Sequence, residues 1–169
     1  MRDGVVESVV VKTTCVEDKK QIKTSARGPG TEYARAHEEC ILLDMFRDHP
    51  SIVRVRGVFL VDLVLDEDHK TTLCLGLVLE NYGNNCDRFI TVSSSGFLRH
   101  EVRCVVSDIL SALSYVHSFR IIHADVKPNN LLVVQDELCE AGKQGFHAKL
   151  CDFNSSLGQF LTPAFFIIN

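Results

Sequence analysis

The stretch 121-IIHADVKPNNLLVV-134 places a histidine, an acid, a lysine and an amide between two short apolar runs. Apolar runs of this length predict short strands, which would hold the polar residues between them in a rigid loop. A second loop of the same kind begins at Asp152, after the strand-like run 148–151. The sequence therefore predicts two loops that present the side chains of Asp125, Asn130 and Asp152.

These residue types suit phosphoryl transfer, in which catalysis depends on positioning and charge neutralisation more than on covalent chemistry. One carboxylate, from Asp125, would orient the attacking hydroxyl. An amide oxygen from Asn130 and the carboxylate of Asp152 would hold Mg²⁺, an ion that prefers hard oxygen ligands. The ammonium of Lys127 could lie near a transferring phosphate, whereas His123 is expected to be a hydrogen-bonded structural residue.

The two loops resemble the catalytic and metal-binding loops of the eukaryotic protein kinase family, whose patterns are H-R-D-L-x-x-x-N and D-F-G. Here they stand as 123-HADVKPNN-130 and 152-DFN-154, with the same interval between the acid and the amide. The lysine and proline after the acid are similar to the serine/threonine-directed branch. The resemblance implies an ATP-dependent protein serine/threonine kinase with ATP and Mg²⁺ as cofactors, Asp125 and Lys127 as catalytic residues, and Asn130 and Asp152 as metal ligands.

A second part of the resemblance lies upstream, where 37-HEECILLDMFRDHPSIVRVRGVF-59 is similar to the family's helix C and the strand after it. It implies that an acidic residue pairs with the phosphate-binding lysine, with Glu39 as the better match and Glu38 as the fallback. For the lysine, Lys12 ends a convincing strand and resembles the V-A-I-K strand of the family. Lys23 remains the alternative, because it is nearer to the acidic residues in sequence.

The segment 75-LGLVLENYGN-84 resembles the strand and hinge that hold adenine. The resemblance implies that Leu79 guards the back of the adenine pocket and that Glu80 and Tyr82 offer backbone hydrogen bonds. It also implies that Val10 and Leu132 lie on either side of the adenine ring.

Hydrophobic patterns predict the elements around these motifs. They indicate a strand over 5–12, a charged connection over 17–30, a helix from Thr31 to Phe46, paired strands over 52–65 and 72–79, a helix over 101–118, strands over 131–134 and 148–151, and an insert over 135–147. The helix over 101–118 has the clearest periodicity, because its apolar residues form one stripe at helical spacing. The polar, turn-rich segment 80–87 predicts a boundary between two lobes.

We therefore expect an α+β protein with a two-lobed, truncated protein kinase-like fold. The partial N-lobe would cover residues 1–82 and the partial C-lobe residues 83–169. No Gly-rich loop precedes Lys12, and the chain ends fifteen residues after Asn154. We accordingly expect a domain that is incomplete at both ends and an apolar patch on the helix over 101–118 that lacks its usual cover.

Two residues depart from the family pattern inside the loops themselves. Ala124 replaces an arginine that pairs with a phosphorylated activation loop in many family members, so activation by that route is not expected. Asn154 replaces a glycine that can adopt positive φ, and asparagine should tolerate that conformation with some strain. Neither change touches the acid at position 125.

Composition limits the other possibilities. The 169 residues are 46% hydrophobic and 24% charged, which is typical of one soluble globular domain. The formal charge of −4 argues against nucleic acid or an anionic membrane as a partner. The resemblance implies ATP and a protein substrate as the partners. Because the start shows no secretory signal, we expect an intracellular, cytoplasmic protein. Seven cysteines without CxxC pairs favour reduced core thiols over disulfides or a zinc site.

Two alternatives remain open on the sequence. The missing Gly-rich loop, Asn154 and the short C-terminal part would suit a pseudokinase or a nucleotide-binding interaction module without activity. A small-molecule kinase of the aminoglycoside or choline type shares the H-x-D-x-x-x-x-N loop, although Lys127, Pro128 and the DF pair fit it less well. The oligomeric state is not indicated.

Overall fold

A computed structural model describes residues 8–15, 31–64, 71–93, 96–136 and 145–158. The chain divides into two compact units. The first consists of Met1–Asp44 and Arg54–Asn81, and the second of Met45–Val53 and Tyr82–Asn169. The elements are a mixture of strands and helices, which confirms the α+β class, while the predicted lobe ranges of 1–82 and 83–169 stay a prediction.

The first unit contains a three-stranded antiparallel sheet and most of one helix. Its elements are β1 (Val9–Cys15), α1 (Thr31–Met45), β2 (Val55–Val64) and β3 (Thr71–Glu80). The strand order is β1-β3-β2, so the predicted strand pair is confirmed as β2 and β3. The first strand was predicted to end at Lys12, but its ladder with β3 continues to Cys15. Residues 1–7 and the predicted connection over 17–30 lie outside the described residues.

One glycine of β3 is explained by its neighbour across the ladder. Gly76 pairs with Phe59 of β2, whose ring lies over the glycine backbone. A Cβ at position 76 would lie 2.2 Å from Cζ of Phe59, which is closer than atoms can approach. The glycine therefore lets the aromatic ring cover the strand, and on either side of it Leu75 and Leu77 are buried.

The second unit contains two helices and two small antiparallel sheets. Its elements are α2 (Cys86–Val92), α3 (Arg99–Ser118), β4 (Ile121–Ile122), β5 (Leu131–Asp136), β6 (Gly145–Leu150) and β7 (Leu157–Gly158). β5 pairs with β6 and β4 with β7. These two sheets frame the polar loops, because the first loop runs from β4 to β5 and the second from β6 to β7.

Helix α3 confirms the strongest periodic signal in the sequence. Its buried residues are Ile109, Ala112 and Val116, and Oδ2 of Asp108 on the same helix accepts a hydrogen bond from the amide of Ala148 in β6 (2.9 Å). The expected apolar patch is present as well, since Val102, Val106 and Leu110 are exposed. No helix in the described parts of the chain is long and apolar enough to span a bilayer.

An aromatic cluster fixes the base of the second loop. Phe46 is fully buried, and its ring centroid lies 5.5 Å from that of Phe119 and 5.9 Å from that of Tyr115. The ring of Phe153, directly after Asp152, lies 5.5 Å from that of Phe46. Burial of these rings holds the loop that begins at Asp152 on a rigid support.

Two sequence predictions for the second unit need correction. The polar segment 80–87, predicted as a boundary between two lobes, includes the start of α2 at Cys86. The predicted insert over 135–147 is shorter, because β5 extends to Asp136 and β6 begins at Gly145, with residues 137–144 outside the described part. β6 ends at Leu150 rather than at Cys151.

The prediction of reduced core thiols is wrong for one pair of cysteines. Cys15 and Cys74 lie opposite each other in the β1–β3 ladder and form a disulfide. Spacing in sequence did not indicate this pair, because the two residues are 59 positions apart and meet only through the sheet register. Cys40, Cys86, Cys104 and Cys151 form no disulfide in the structure, and Cys139 lies outside the described residues.

Candidate active site

His123 joins the two polar loops of the second unit. It is 1% exposed, its Nε2 lies 3.0 Å from the carbonyl oxygen of Cys151, and its Nδ1 accepts a hydrogen bond from the amide of Asp125 (3.3 Å). Because Nδ1 accepts, Nε2 carries the proton and donates to the carbonyl. The ring also contacts the edge of Phe153 at 4.7 Å between centroids. Burial lowers the pKa of His123, so the neutral ring is the form that this structure accommodates.

Asp125 lies at the centre of the first loop. Nζ of Lys127 donates to its Oδ2 at 2.7 Å, and Nδ2 of Asn130 donates to the same oxygen at 3.0 Å and to the backbone carbonyl of Asp125 at 2.9 Å. The hydrogen bond from Lys127 is the main cause that lowers the pKa of Asp125, and the one from Asn130 adds to it. The carboxylate is therefore ionised at neutral pH.

Lys127 is held in its charged form by the same contact. Its hydrogen bond to Asp125 raises the pKa of Lys127, and the negative charge of Asp152 raises it further. The loop thus presents one fixed cation beside two carboxylates. A cation in this arrangement can neutralise a phosphate while the carboxylate orients a neighbouring hydroxyl.

The side chains of Asn130 and Asp152 fit a small hard cation. Because the amide nitrogen of Asn130 donates to Asp125, the amide oxygen is the atom that remains for a metal. The described residues contain no cluster of three or more His, Cys, Asp or Glu that could hold a metal by itself. Such a sparse protein donor set fits Mg²⁺, which keeps waters and takes further oxygens from substrate phosphates.

Two non-glycine residues of these loops have left-handed backbone conformations. Ala124 has a φ of 62° and Asp152 a φ of 64°. Asn154 is not among the positive-φ residues of the described chain, so the strain expected at that position is not observed. The left-handed turn instead falls on Asp152 itself, and the side chain at position 154 does not need the freedom of glycine.

The strain at Ala124 leads to a stability prediction. We expect Ala124→Gly to raise the free energy of unfolding by about 0.5–1 kcal/mol, because glycine adopts positive φ without the Cβ clash. Ala124 is exposed, so little buried contact is lost. Urea unfolding of the purified chain measures the change. Ala34→Gly, inside α1, is the matched control and should lower the free energy of unfolding by about 1 kcal/mol. If both variants lose the same stability, the backbone at Ala124 is not strained.

The buried ring of His123 predicts a pH dependence of stability. Its pKa in the folded chain is lower than the ordinary value of 6.5, so the unfolded chain binds more protons in this range. The free energy of unfolding should therefore fall as pH drops from above 6.5 through the lowered pKa. Burial lowers the pKa of His49 as well, so both residues contribute in the same direction.

Chemical unfolding between about pH 7.5 and about pH 5, a range that brackets the ordinary pKa of histidine, measures this slope. His123→Asn and His49→Asn should each flatten it, and the double variant should flatten it most. His100→Asn replaces an exposed histidine and should leave the slope unchanged. If the pH dependence of stability is the same in His123→Asn as in the unmodified chain, His123 is not its cause.

The first unit contains the predicted lysine–glutamate pair. Nζ of Lys12 on β1 lies 3.0 Å from Oε1 and 2.8 Å from Oε2 of Glu39 on α1. The Glu39 side chain is 1% exposed and that of Lys12 29%. Glu39 rather than the fallback Glu38 thus contacts Lys12, while Lys23 lies outside the described residues. The phosphate-binding role of the pair stays a prediction.

Three residues predicted to contact adenine also lie in the first unit. Val10 of β1 is directly opposite Leu79 of β3 in the ladder. The amide of Glu80 donates to the carbonyl of Arg54 (3.1 Å), and its carboxylate pairs with Arg56. Because the amide of Glu80 already donates to Arg54, the backbone of Glu80 could bind a ligand only by accepting a hydrogen bond at its carbonyl oxygen.

The other two residues predicted to contact adenine, Tyr82 and Leu132, lie in the second unit. The ammonium of Lys149 lies 4.7 Å from the centroid of the Tyr82 ring. Leu132 of β5 is opposite Lys149 of β6 and forms an isolated bridge with Asn85. The sequence reasoning missed Asn85, whose Oδ1 accepts from the amide of Arg88 (2.8 Å) and caps α2. An asparagine before CDRFITV was the available signal.

The loop geometry and the lysine–glutamate pair define a class of protein, the kinases that transfer phosphoryl groups from a nucleotide. Comparison with known sequences supports this class. The model of the protein kinase domain matches residues 3–159 of the chain. The chain therefore belongs to the protein kinase domain family.

Individual relatives are named as kinases, one of them as a probable serine/threonine kinase. The chain is 30% identical over 122 residues to a probable serine/threonine-protein kinase MRK1 homolog of Encephalitozoon cuniculi, which covers 72% of this chain and 34% of that protein. It is 27% identical over 148 residues to a cyclin-dependent kinase 4 homolog of Caenorhabditis elegans, covering 86% of this chain and 33% of the relative. The chain spans about a third of the length of these two relatives.

Proposed function

We propose that this chain belongs to an ATP-dependent protein kinase that phosphorylates serine or threonine hydroxyls. The observation that carries the proposal is the ionised carboxylate of Asp125, hydrogen-bonded by Lys127 and Asn130 in the loop that resembles the family's catalytic loop. Lys127 also favours the serine/threonine-directed branch, as does the name of the MRK1 homolog. The partners would be ATP and an intracellular protein substrate.

Each residue has a separate task in this proposal. Asp125 orients the substrate hydroxyl and accepts its proton, and Lys127 stabilises the negative charge of the transferred phosphoryl group. Asn130 and Asp152 would hold Mg²⁺, which neutralises phosphate charge when it is bound. Lys12, fixed by Glu39, would contact the α- and β-phosphates, and Val10, Leu79, Glu80, Tyr82 and Leu132 would surround the adenine.

A transfer assay with the purified full chain tests the proposal. With labelled ATP and Mg²⁺, serine- and threonine-containing peptide mixtures should be labelled, whereas tyrosine-only mixtures, amino sugars and choline should not. Labelling of tyrosine alone would overturn the hydroxyl preference, and labelling of the small molecules alone would overturn the protein substrate.

A thermal-shift measurement separates binding from transfer. ATP with Mg²⁺ should raise the Tm of the chain. A free ATP concentration of about 100 times the Kd should raise the free energy of unfolding by about 2.7 kcal/mol. A Tm increase without transfer to any hydroxyl would select the non-catalytic, nucleotide-binding alternative. Absence of both effects would contradict the kinase proposal for this chain.

A further inference from the structure

The Cys15–Cys74 disulfide joins the strand that carries Lys12 to its neighbour. Cys15 is the last residue of β1, Cys74 lies in β3, and the two face each other in the antiparallel register. Lys12 precedes Cys15 by three positions on the same strand. A bond at this place therefore acts directly on the backbone that positions the ammonium of Lys12 against Glu39.

β1 itself buries little apolar surface. In the sheet formed by the described residues it is an edge strand, with β3 as its neighbour. Its side chains Val9, Val10 and Val11 are 47%, 45% and 50% exposed, so they bury little apolar area. Strands with few buried contacts open at low free energy. A covalent link to β3 should consequently stabilise the pairing of β1 with β3.

We propose that Cys15 and Cys74 form a reversible disulfide whose redox state controls how firmly β1, and with it Lys12, is held to β3. An intracellular setting would keep the pair as thiols at rest, because the glutathione pool reduces exposed or accessible disulfides. Oxidising conditions would then close the bond. The consequence for ATP affinity rests on the function proposed above, whereas the consequence for β1 does not.

The chemistry balances with glutathione disulfide as the oxidant. The thiolate of Cys15, which is only partly buried, attacks glutathione disulfide and releases one glutathione. The thiolate of Cys74 then attacks the Cys15 sulfur of the mixed disulfide and releases the second glutathione. Two protein thiols lose two protons and two electrons, and one glutathione disulfide becomes two glutathione molecules. Reduced glutathione reverses both steps.

The other cysteines of the described residues form no disulfide in the structure. Burial raises the pKa of the Cys86 thiol to about 11 and also raises the pKa of Cys40. The sheet register, in contrast, holds the sulfurs of Cys15 and Cys74 together whenever β1 and β3 are paired.

The full-length chain, equilibrated with glutathione disulfide or with glutathione, provides the test. Alkylation of the chain unfolded in urea, followed by mass spectrometry, should show both Cys15 and Cys74 protected only in the oxidised sample. Oxidation should slow amide hydrogen exchange in 9–15 by about tenfold or more and raise the Tm by about 5 °C or more. Cys15→Ser should abolish both differences, whereas Cys104→Ser should retain them.

Several outcomes would overturn the proposal. They are equal alkylation of Cys15 and Cys74 in both samples, unchanged exchange in 9–15, or a redox-dependent Tm that persists in Cys15→Ser. If Cys74→Ser does not fold because its site is fully buried, Cys74→Ala and the partly buried Cys15→Ser carry the same test.

ATP binding distinguishes this inference from the proposed function. The oxidised chain should bind ATP with Mg²⁺ about threefold to tenfold more tightly than the reduced chain, because a fixed Lys12 loses less conformational entropy on binding. Equal affinity in both redox forms would overturn the link to Lys12. Absence of binding in both forms, together with slower exchange in the oxidised form, would refute the proposed function but leave the reversible disulfide supported.

Discussion

Asp125→Asn should lower the rate of phosphoryl transfer by about 10²- to 10⁴-fold, the usual contribution of a general base. The asparagine oxygen can still accept from Lys127 and from Asn130, so the loop should keep its shape. What it cannot do is carry a full negative charge or take the proton of a hydroxyl. The loss should therefore appear in kcat, with little change in the KM for ATP.

Transfer of labelled phosphate from ATP to a serine- or threonine-containing peptide, measured under steady-state conditions, checks this expectation. Asp48→Asn makes the same chemical change at an exposed position of the second unit and serves as the matched control, with activity close to that of the unmodified chain. Equal activity of Asp125→Asn and Asp48→Asn would remove Asp125 from its assigned role.

The sequence indicated which side chains share the first loop because the contacts between them are local. Asp125, Lys127 and Asn130 fall within six residues, and a short loop between two strands leaves them few ways to avoid one another. The helix over 101–118 was predictable for a similar reason, since its apolar stripe repeats within the element itself. Local patterns of this kind do not depend on the rest of the chain.

Features that depend on distant pairing were not predictable in the same way. The Cys15–Cys74 bond follows from the register between β1 and β3, which spacing in the sequence does not specify. The left-handed conformation of Ala124 is set by the hydrogen bonds of the surrounding loop, and alanine gives no propensity signal for it. The deep burial of Glu39 likewise depends on how α1 packs, although the resemblance indicated its partner.

The burial of Glu39 makes the pair with Lys12 a strong determinant of stability as well as of the proposed activity. Lys12→Met should lower the free energy of unfolding by about 3 kcal/mol, because it leaves a buried carboxylate without its cation. If Lys12 also contacts the phosphates, the variant should lose ATP binding. Lys23→Met is the control for the alternative lysine, and a loss of ATP binding confined to that variant would transfer the role to Lys23.

A double-mutant cycle separates the ion pair from the other contacts of each side chain. Lys12→Met combined with Glu39→Gln should be more stable than Lys12→Met alone by about 1–2 kcal/mol, because the neutral amide removes the uncompensated charge. ATP binding should nevertheless remain lost, since glutamine restores the fold without restoring a cation at position 12. Urea unfolding and thermal shift with ATP measure the two effects independently.

Two outcomes would contradict these expectations. Additive destabilisation in the double variant would mean that the two side chains do not interact in solution. Recovery of ATP binding would show that the cation of Lys12 is not needed for nucleotide binding.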